Sequence, residues 1–208
     1  MNEARLQAAE NDFLIRYPGG FQSPEMVKIG KKHNVDKLVV QAQEAFAPGK
    51  FAQAQQVAEM MVKLVSRSSM VSMFEKPKFR DYVKAMTHDE REALAYSLKD
   101  MLHGDKEYGF NIMLDLLRPV KLAKWSLMTI LPAYYAPLDE VFVKPTTAKG
   151  IIKNFELQGV EYKPTPSWEF YVEYRGQILA MRDKVDKSLS PNNAAFSGFL
   201  MMSMMEEL

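Results

Sequence analysis

The stretch VFVKPTTAKGIIKNFELQGVEYKPTPSWEFY, residues 141–171, decides whether the chain is all-helical or mixed. Val141-Phe142-Val143 is short, β-branched and aromatic, which favours a strand of a few residues, and Val160-Glu161-Tyr162 offers a second. Pairing of the two would make a minor two-stranded element near residues 141–162. Each segment runs into a proline-threonine junction, Lys144-Pro145-Thr146-Thr147 and Lys163-Pro164-Thr165-Pro166, that delivers extended chain into a helix. Thr146 or Thr147 is expected to cap a short helix carrying Ile151, Ile152 and Phe155, closed by Gly159. Thr165 with Pro166, or Ser167, is expected to cap a longer one through Trp168, Tyr171, Val172, Ile178, Leu179 and Val185.

Outward from this stretch the apolar period is helical. Phe51, Ala54, Val57, Ala58, Met61, Leu64 and Val65 recur at three- and four-residue intervals and predict an amphipathic helix. Thr87 stands three residues before Glu90, the spacing of a capping box, and Leu94, Leu98, Met101 and Leu102 continue a buried face to the stop at Gly104. Near the N-terminus, Leu6, Ala9, Phe13 and Leu14 mark a helix that Tyr17-Pro18-Gly19-Gly20-Phe21 ends. Ser23-Pro24-Glu25 then opens another, whose inner face is expected to use Met26, Val27 and Ile29. Pro119 ends or kinks the helix that carries Tyr108 to Leu117, and a further helix is expected from Val120 toward Leu131. The apolar run Trp125 to Ala136 reads as broken by Pro132. Ser190-Pro191 opens the final helix, with Phe196, Phe199 and Leu200 on its face. Its tail, Met201-Met202-Ser203-Met204-Met205, is apolar almost all round and should pack into the core or against another chain. The expected fold is all-α, predominantly helical with about ten helices. Residues 1–208 read as a single domain, with room for a C-terminal subdomain over 138–208.

Composition narrows the function classes. At 208 residues and 47% hydrophobic, the chain is long enough to bury a substantial core. Its 27 basic and 26 acidic residues leave a net charge of +1, so no global field steers it to nucleic acid or an anionic membrane. The absence of cysteine excludes disulfides, a thiolate nucleophile and cysteine-ligated zinc or iron-sulfur sites, and fits a reducing cytosol. The first residues are polar and acidic with no signal-like apolar run, and the longest apolar region falls short of the ~20 residues a spanning helix needs. The expected location is therefore cytoplasmic, without membrane association.

Signatures of catalysis are sparse. Gly49-Lys50 is no phosphate loop, because position 44 is Glu and position 51 is Phe. His33, His88 and His103 lack the i, i+4 spacing of a helical metal pair, so neither a metal nor a cofactor is expected. His88 or His103 beside a carboxylate leaves open an acid/base site assembled in space. Asp139 with Glu140, and Glu156 with Glu161, read as solvated acids. Pro18-Gly19-Gly20 reads first as a tight turn and second as a nest presenting backbone amides to an anion. Arg118, Lys121 and Lys124 are expected to share a helix face. With Lys144, Lys149 and Lys153 around the first proline-threonine junction and Trp125, Phe142 and Phe155 interleaved, they would form a basic, aromatic groove for phosphates and bases. Snorkelling lysines around an ordinary core explain the same residues.

Phe13, Tyr17-Pro18-Gly19-Gly20-Phe21 and Pro24, then Ser66-Arg67 and Phe74-Glu75-Lys76, then Val143-Lys144-Pro145-Thr146-Thr147-Ala148-Lys149, resemble the pattern of a bacterial family of uncharacterised, mostly helical proteins. The resemblance extends through Tyr162, Pro166, Trp168 and Tyr171 to Leu189-Ser190-Pro191 with Phe196 and Phe199, and so spans nearly the whole chain. It implies a helical bacterial protein but no activity, substrate or cofactor. The methionine-rich tail departs from the pattern, where more aromatic and polar residues belong.

These readings lead to a non-enzymatic binding or scaffold protein of the bacterial cytoplasm. The candidate binding residues are Tyr17, Gly19, Gly20, Lys144, Thr146, Thr147, Lys149, Lys153, Trp168 and Tyr171; no catalytic residue is assigned. A protein partner or a second copy is expected at the methionine-rich C-terminus. Nucleic-acid binding through the lysine junction, with Trp125 or Trp168 stacking, is the alternative, and an enzyme using His88 or His103 the second.

Overall fold

The computed structural model describes residues 1–205, and every regular element among them is helical. The last positions of the 138–208 unit lie outside the described residues. In chain order the helices are α1 (Glu3–Arg16), α2 (Pro24–His33), α3 (Val35–Ala45), α4 (Ala54–Arg67), α5 (Glu75–Ala85), α6 (His88–His103), α7 (Lys106–Leu117), α8 (Trp125–Tyr135), α9 (Pro145–Asn154), α10 (Trp168–Arg182) and α11 (Asn193–Met205). Short 3-10 turns occupy Gly20–Gln22, Pro48–Gln53 and Lys187–Leu189. Buried apolar residues from α1 through α11 form one cluster.

Side-chain oxygens account for most helix starts, by taking up amides that have no intrahelical acceptor. Ser23 Oγ accepts from Met26 N–H at the start of α2, where Pro24 fits because its missing N–H costs nothing there. Thr87 and Glu90 make both halves of the capping box on α6. Asp105 caps α7 and Ser167 caps α10. The start of α9 differs from expectation: Lys144 is its N-cap residue with Pro145 at the first turn, and neither Thr146 nor Thr147 caps it.

The middle of the chain departs from the sequence reading at three places. The helix expected from Val120 toward Leu131 starts only at Trp125, after a turn, and runs to Tyr135. Arg118 is the C-cap of α7, and Lys121 takes φ of 60° in the turn that follows, so Arg118, Lys121 and Lys124 do not share a helix face. Pro132 sits inside α8 without ending it, and Ala136 N–H donates to Pro132 O at 2.9 Å to close its last turn. Every residue of α8 from Trp125 to Tyr134 is buried. A helix apolar all round belongs in the interior, and α8 packs against α3, α4, α6 and α7. The polar side chains of its buried stretch are matched: Ser126 Oγ donates to Glu75 Oε2 at 2.6 Å, Thr129 Oγ1 to Trp125 O at 2.7 Å, and Tyr134 OH pairs with Ser68 Oγ at 2.7 Å. Gly109 lets α7 approach α6 closely, since a Cβ there would stand 2.5 Å from Ser97 O.

The two-stranded element near 141–162 is absent, and hydrogen bonding explains why. The extended chain at 141–143 spends its amides on side chains of flanking helices instead of on another strand. Val141 N–H donates to Tyr171 OH on α10 at 3.2 Å, and Val143 N–H to Thr129 Oγ1 on α8 at 3.0 Å. Val141 and Val143 are fully buried, so the β-branched pattern reflects burial alone. Residues 160–163 also form no strand, and Lys163 O accepts from Trp125 Nε1 at 2.8 Å.

Glu140, expected in solvent, is buried. Its carboxylate receives Lys106 Nζ at 2.6 Å and Tyr171 OH at 2.6 Å, with Arg175 Nε at 3.5 Å. Its carbonyl accepts from Asn193 Nδ2 at 2.9 Å, and Asn193 N–H donates to Pro137 O at 2.9 Å. Burial first, then the adjacent Glu140 charge, hold the Tyr171 phenol well above its ordinary 10.0, so it stays protonated at neutral pH and donates to Glu140. Replacing Tyr171 by Phe leaves the acid with its cations but orphans Val141 N–H, and should cost about 1–3 kcal/mol in urea unfolding. Glu140→Ala removes the shared acceptor and should cost more, about 3–5 kcal/mol. Equal, small losses for both variants would show that water readily replaces the carboxylate.

Candidate functional site

A groove of about 670 Å³ opens between α2 and α11, floored by the 142–147 junction and by the Ser69-Met70 turn. Its walls are mainly apolar: Met26, Val27 and Ile29 from α2, Met201 and Met202 from α11, with Met70 and Phe142 between them. Val27 is 41% exposed and Ile29 37%, although both belong to the apolar stripe of α2. The stripe therefore faces the groove, and only Met26 reaches the core.

Helix endings supply the groove's polar groups. At the C-terminal end of α2, Asn34 adopts φ of 51°, a left-handed cap that turns the chain directly into α3. This turn brings Lys31, His33 and Asp36 to the groove, and His33 Nδ1 is 2.8 Å from Ser69 Oγ. On the opposite element, the N-terminus of α9 contributes Lys144 and Thr147. Pro145 has no N–H, and among the described residues no side chain caps this helix or accepts from the amides of Thr146 and Thr147. Lys31 and Lys144 form no ion pair among the described residues, and Asp36 is the sole carboxylate in the lining. Ser197, in the α11 wall, has a buried hydroxyl oxygen without a hydrogen-bond partner among the described residues.

The sequence-derived candidates are distributed over several places. Lys144 and Thr147 line the groove, whereas Thr146, beside them, is exposed outside the lining. Lys149 extends over the Tyr162 ring at 5.2 Å, and Lys153 lies exposed in the last turn of α9. Tyr171 is interior and bonded to Glu140. Trp168, half-buried, packs on Phe110 and Tyr171 with ring centroids 5.6 and 5.9 Å away. Trp125 is 1% exposed and presents no face on which a base could stack.

Tyr17, Gly19 and Gly20 build a packing turn. Gly19 and Gly20 take φ of 85° and 60°, and a Cβ on Gly20 would lie 2.6 Å from both Ser188 O and Ser188 Oγ. Phe13 gathers Tyr17, Phe21 and Phe199 with centroids 4.9, 5.7 and 5.2 Å away. Phe21 alone of this turn reaches the groove.

The histidines also find their places. His103 bonds Phe46 O through Nε2 at 2.8 Å and stacks edgewise on Phe51 and Tyr135, which makes it a helix-end packing residue. His88, Asp89 and Glu92 have ligand atoms within 4.8 Å of one another on the first turn of α6, where His88 and Asp89 are exposed. An exposed acidic group at a helix start is favoured by the helix dipole without any ion. No helix among the described residues is long and apolar enough to cross a membrane.

Comparison of the chain with protein-family models, with curated proteins and with solved structures gives no match. The site therefore rests on geometry alone.

The Gly20 contact yields a direct test of the turn. Gly20→Ala combines a positive φ with a backbone clash and should lower stability by about 2–4 kcal/mol. Gly19→Ala, with nothing within 4 Å of its Cβ, pays only the conformational term, about 1–2 kcal/mol. Thermal melts of the two variants separate a packing turn from a freely exposed loop, for which both losses would be equal.

Proposed function

We propose that the protein is a non-enzymatic binding protein and that the groove between α2 and α11 is its binding site. The observation that supports this reading is the apolar stripe of α2, left open at Val27 and Ile29 opposite the methionines of α11. An amphipathic helix ordinarily turns such a stripe into the core. Here it forms the wall of an opening whose volume falls within the roughly 300–1,000 Å³ of sites that enclose small ligands. Methionine walls suit this role, because an unbranched thioether chain re-packs around ligands of different shape at little cost. The bacterial, cytoplasmic setting rests on the sequence resemblance and on the lack of cysteine.

The nucleic-acid reading gains less from the geometry. Lys149 is engaged with Tyr162, Trp125 is closed off, and Trp168 packs against Phe110.

A neutral solvatochromic dye such as Nile red probes the groove without reference to charge. Its fluorescence should rise and saturate at one dye per chain. Val27→Glu places a carboxylate on an exposed wall position and should weaken dye binding at least about tenfold, the effect of losing ~1.4 kcal/mol, with an unchanged melting curve. Ala195→Phe fills the groove from α11 and should do the same. Undiminished dye binding by both variants would move the site elsewhere.

A further inference from the structure

Resting on that reading, the distribution of charge within the groove points to a particular class of ligand. The lining carries Lys31, Lys144 and His33 against the single acid Asp36, and neither lysine has an ion-pair partner among the described residues. The excess of cation over acid is local, since the whole chain is balanced to +1. Lys144 stands at the start of α9, a helix of 10 residues that no side chain caps and whose amides at Thr146 and Thr147 have no acceptor among the described residues. Amides and a lysine at a helix start together favour an anion. A separate observation is Ser197, a partly buried residue of the α11 wall whose hydroxyl oxygen is buried and unpaired among the described residues, a state in which hydroxyls are seldom left.

Most of the remaining wall is hydrocarbon and thioether, so the occupant needs a long apolar part and one anionic end. A helical peptide fits the space less well. With its side chains a helix is about 10–12 Å across, and a groove of 670 Å³ would receive only the tips of one face. We propose that the ligand is a single-chain amphiphile with an anionic head, a long-chain carboxylate or an alkyl phosphate. Its head lies at Lys144 and Thr147, and its tail runs between Met26, Met70, Met201 and Met202. Val27 and Ile29 cover the tail from α2.

Displacement of bound Nile red from the full chain tests this. Sodium dodecanoate, dodecyl phosphate and dodecyltrimethylammonium are compared below their critical micelle concentrations, alongside a synthetic acidic amphipathic peptide. Dodecanoate or dodecyl phosphate should displace the dye at concentrations at least about tenfold lower than dodecyltrimethylammonium, the value of one charge-assisted hydrogen bond. The better of the two anions identifies the head, and either supports the proposal. Lys144→Gln, at an exposed position, should remove most of that preference while leaving the melting curve unchanged. Equal displacement by anionic and cationic amphiphiles, a preference unaffected by Lys144→Gln, or displacement by the peptide alone would overturn it. Failure of Nile red to bind the unmodified chain would instead sink the groove reading on which the proposal rests.

Discussion

The structure depends on a carboxylate taken out of water. Glu140 lies on an irregular segment, Pro137 to Lys144, that enters the interior at Glu140 to Val143, where chain without helix or sheet has no automatic partners for its amides and carbonyls. Side chains supply those partners from several helices at once. Lys106 comes from α7, Thr129 from α8, Tyr171 and Arg175 from α10, and Asn193 from α11. Arg182 adds hydrogen bonds to Leu138 O at 2.6 Å and to Asn193 Oδ1 at 2.8 Å. A buried ion pair seldom adds much net stability over an apolar equivalent. Its effect here is geometric, because a carboxylate with two oxygens, each with a fixed donor, holds the segment in one register.

That register determines what the groove contains. Val141 and Val143 are drawn inward by Tyr171 and Thr129, so alternation along the extended chain sends Phe142 the other way, into the groove lining. Lys144 follows at the helix start, and Pro145 leaves the first turn of α9 without a side-chain cap. A shift by one residue would bury Phe142 and turn a valine outward. The polar end of the groove is thus anchored by the same hydrogen bonds that make the interior continuous, although Glu140 itself is absent from the lining.

Much of this was legible in the sequence where the signal was local. Capping residues at Ser23, Thr87 and Ser167 act within one turn of their own position, and the α4 stripe needs only the helical period. The failures share a cause, which is that the deciding partner is distant along the chain. Val141-Phe142-Val143 has strand composition, yet whether its amides meet a strand or a tyrosine 30 residues away is a tertiary fact. Glu140 beside Asp139 looks like any solvated pair until Lys106 and Tyr171 converge on it. Pro132 ends a helix by intrinsic preference, but a fully buried helix keeps its course through packing. Of the site, Lys144 and Thr147 were visible as part of a marked junction. Val27 and Ile29 were read as core because periodicity reports an apolar face and is silent about what faces it.

The groove joins two kinds of wall with different mechanical character. Its floor is set by the Glu140 hydrogen bonds and by valines with 0% exposure, and so offers the helix start of α9 in a fixed place. Its sides are methionines on helices, half-buried at Met201 and Met202, with three rotatable bonds apiece. Rigid placement matters most for hydrogen bonds, whose strength falls steeply with angle, whereas dispersion and burial depend on little beyond contact area. On the proposed reading, a site built this way would discriminate between head groups and tolerate variation in the apolar chain. Selectivity and capacity would then reside in different residues, Lys144 and the α9 amides for the first and the methionine walls for the second.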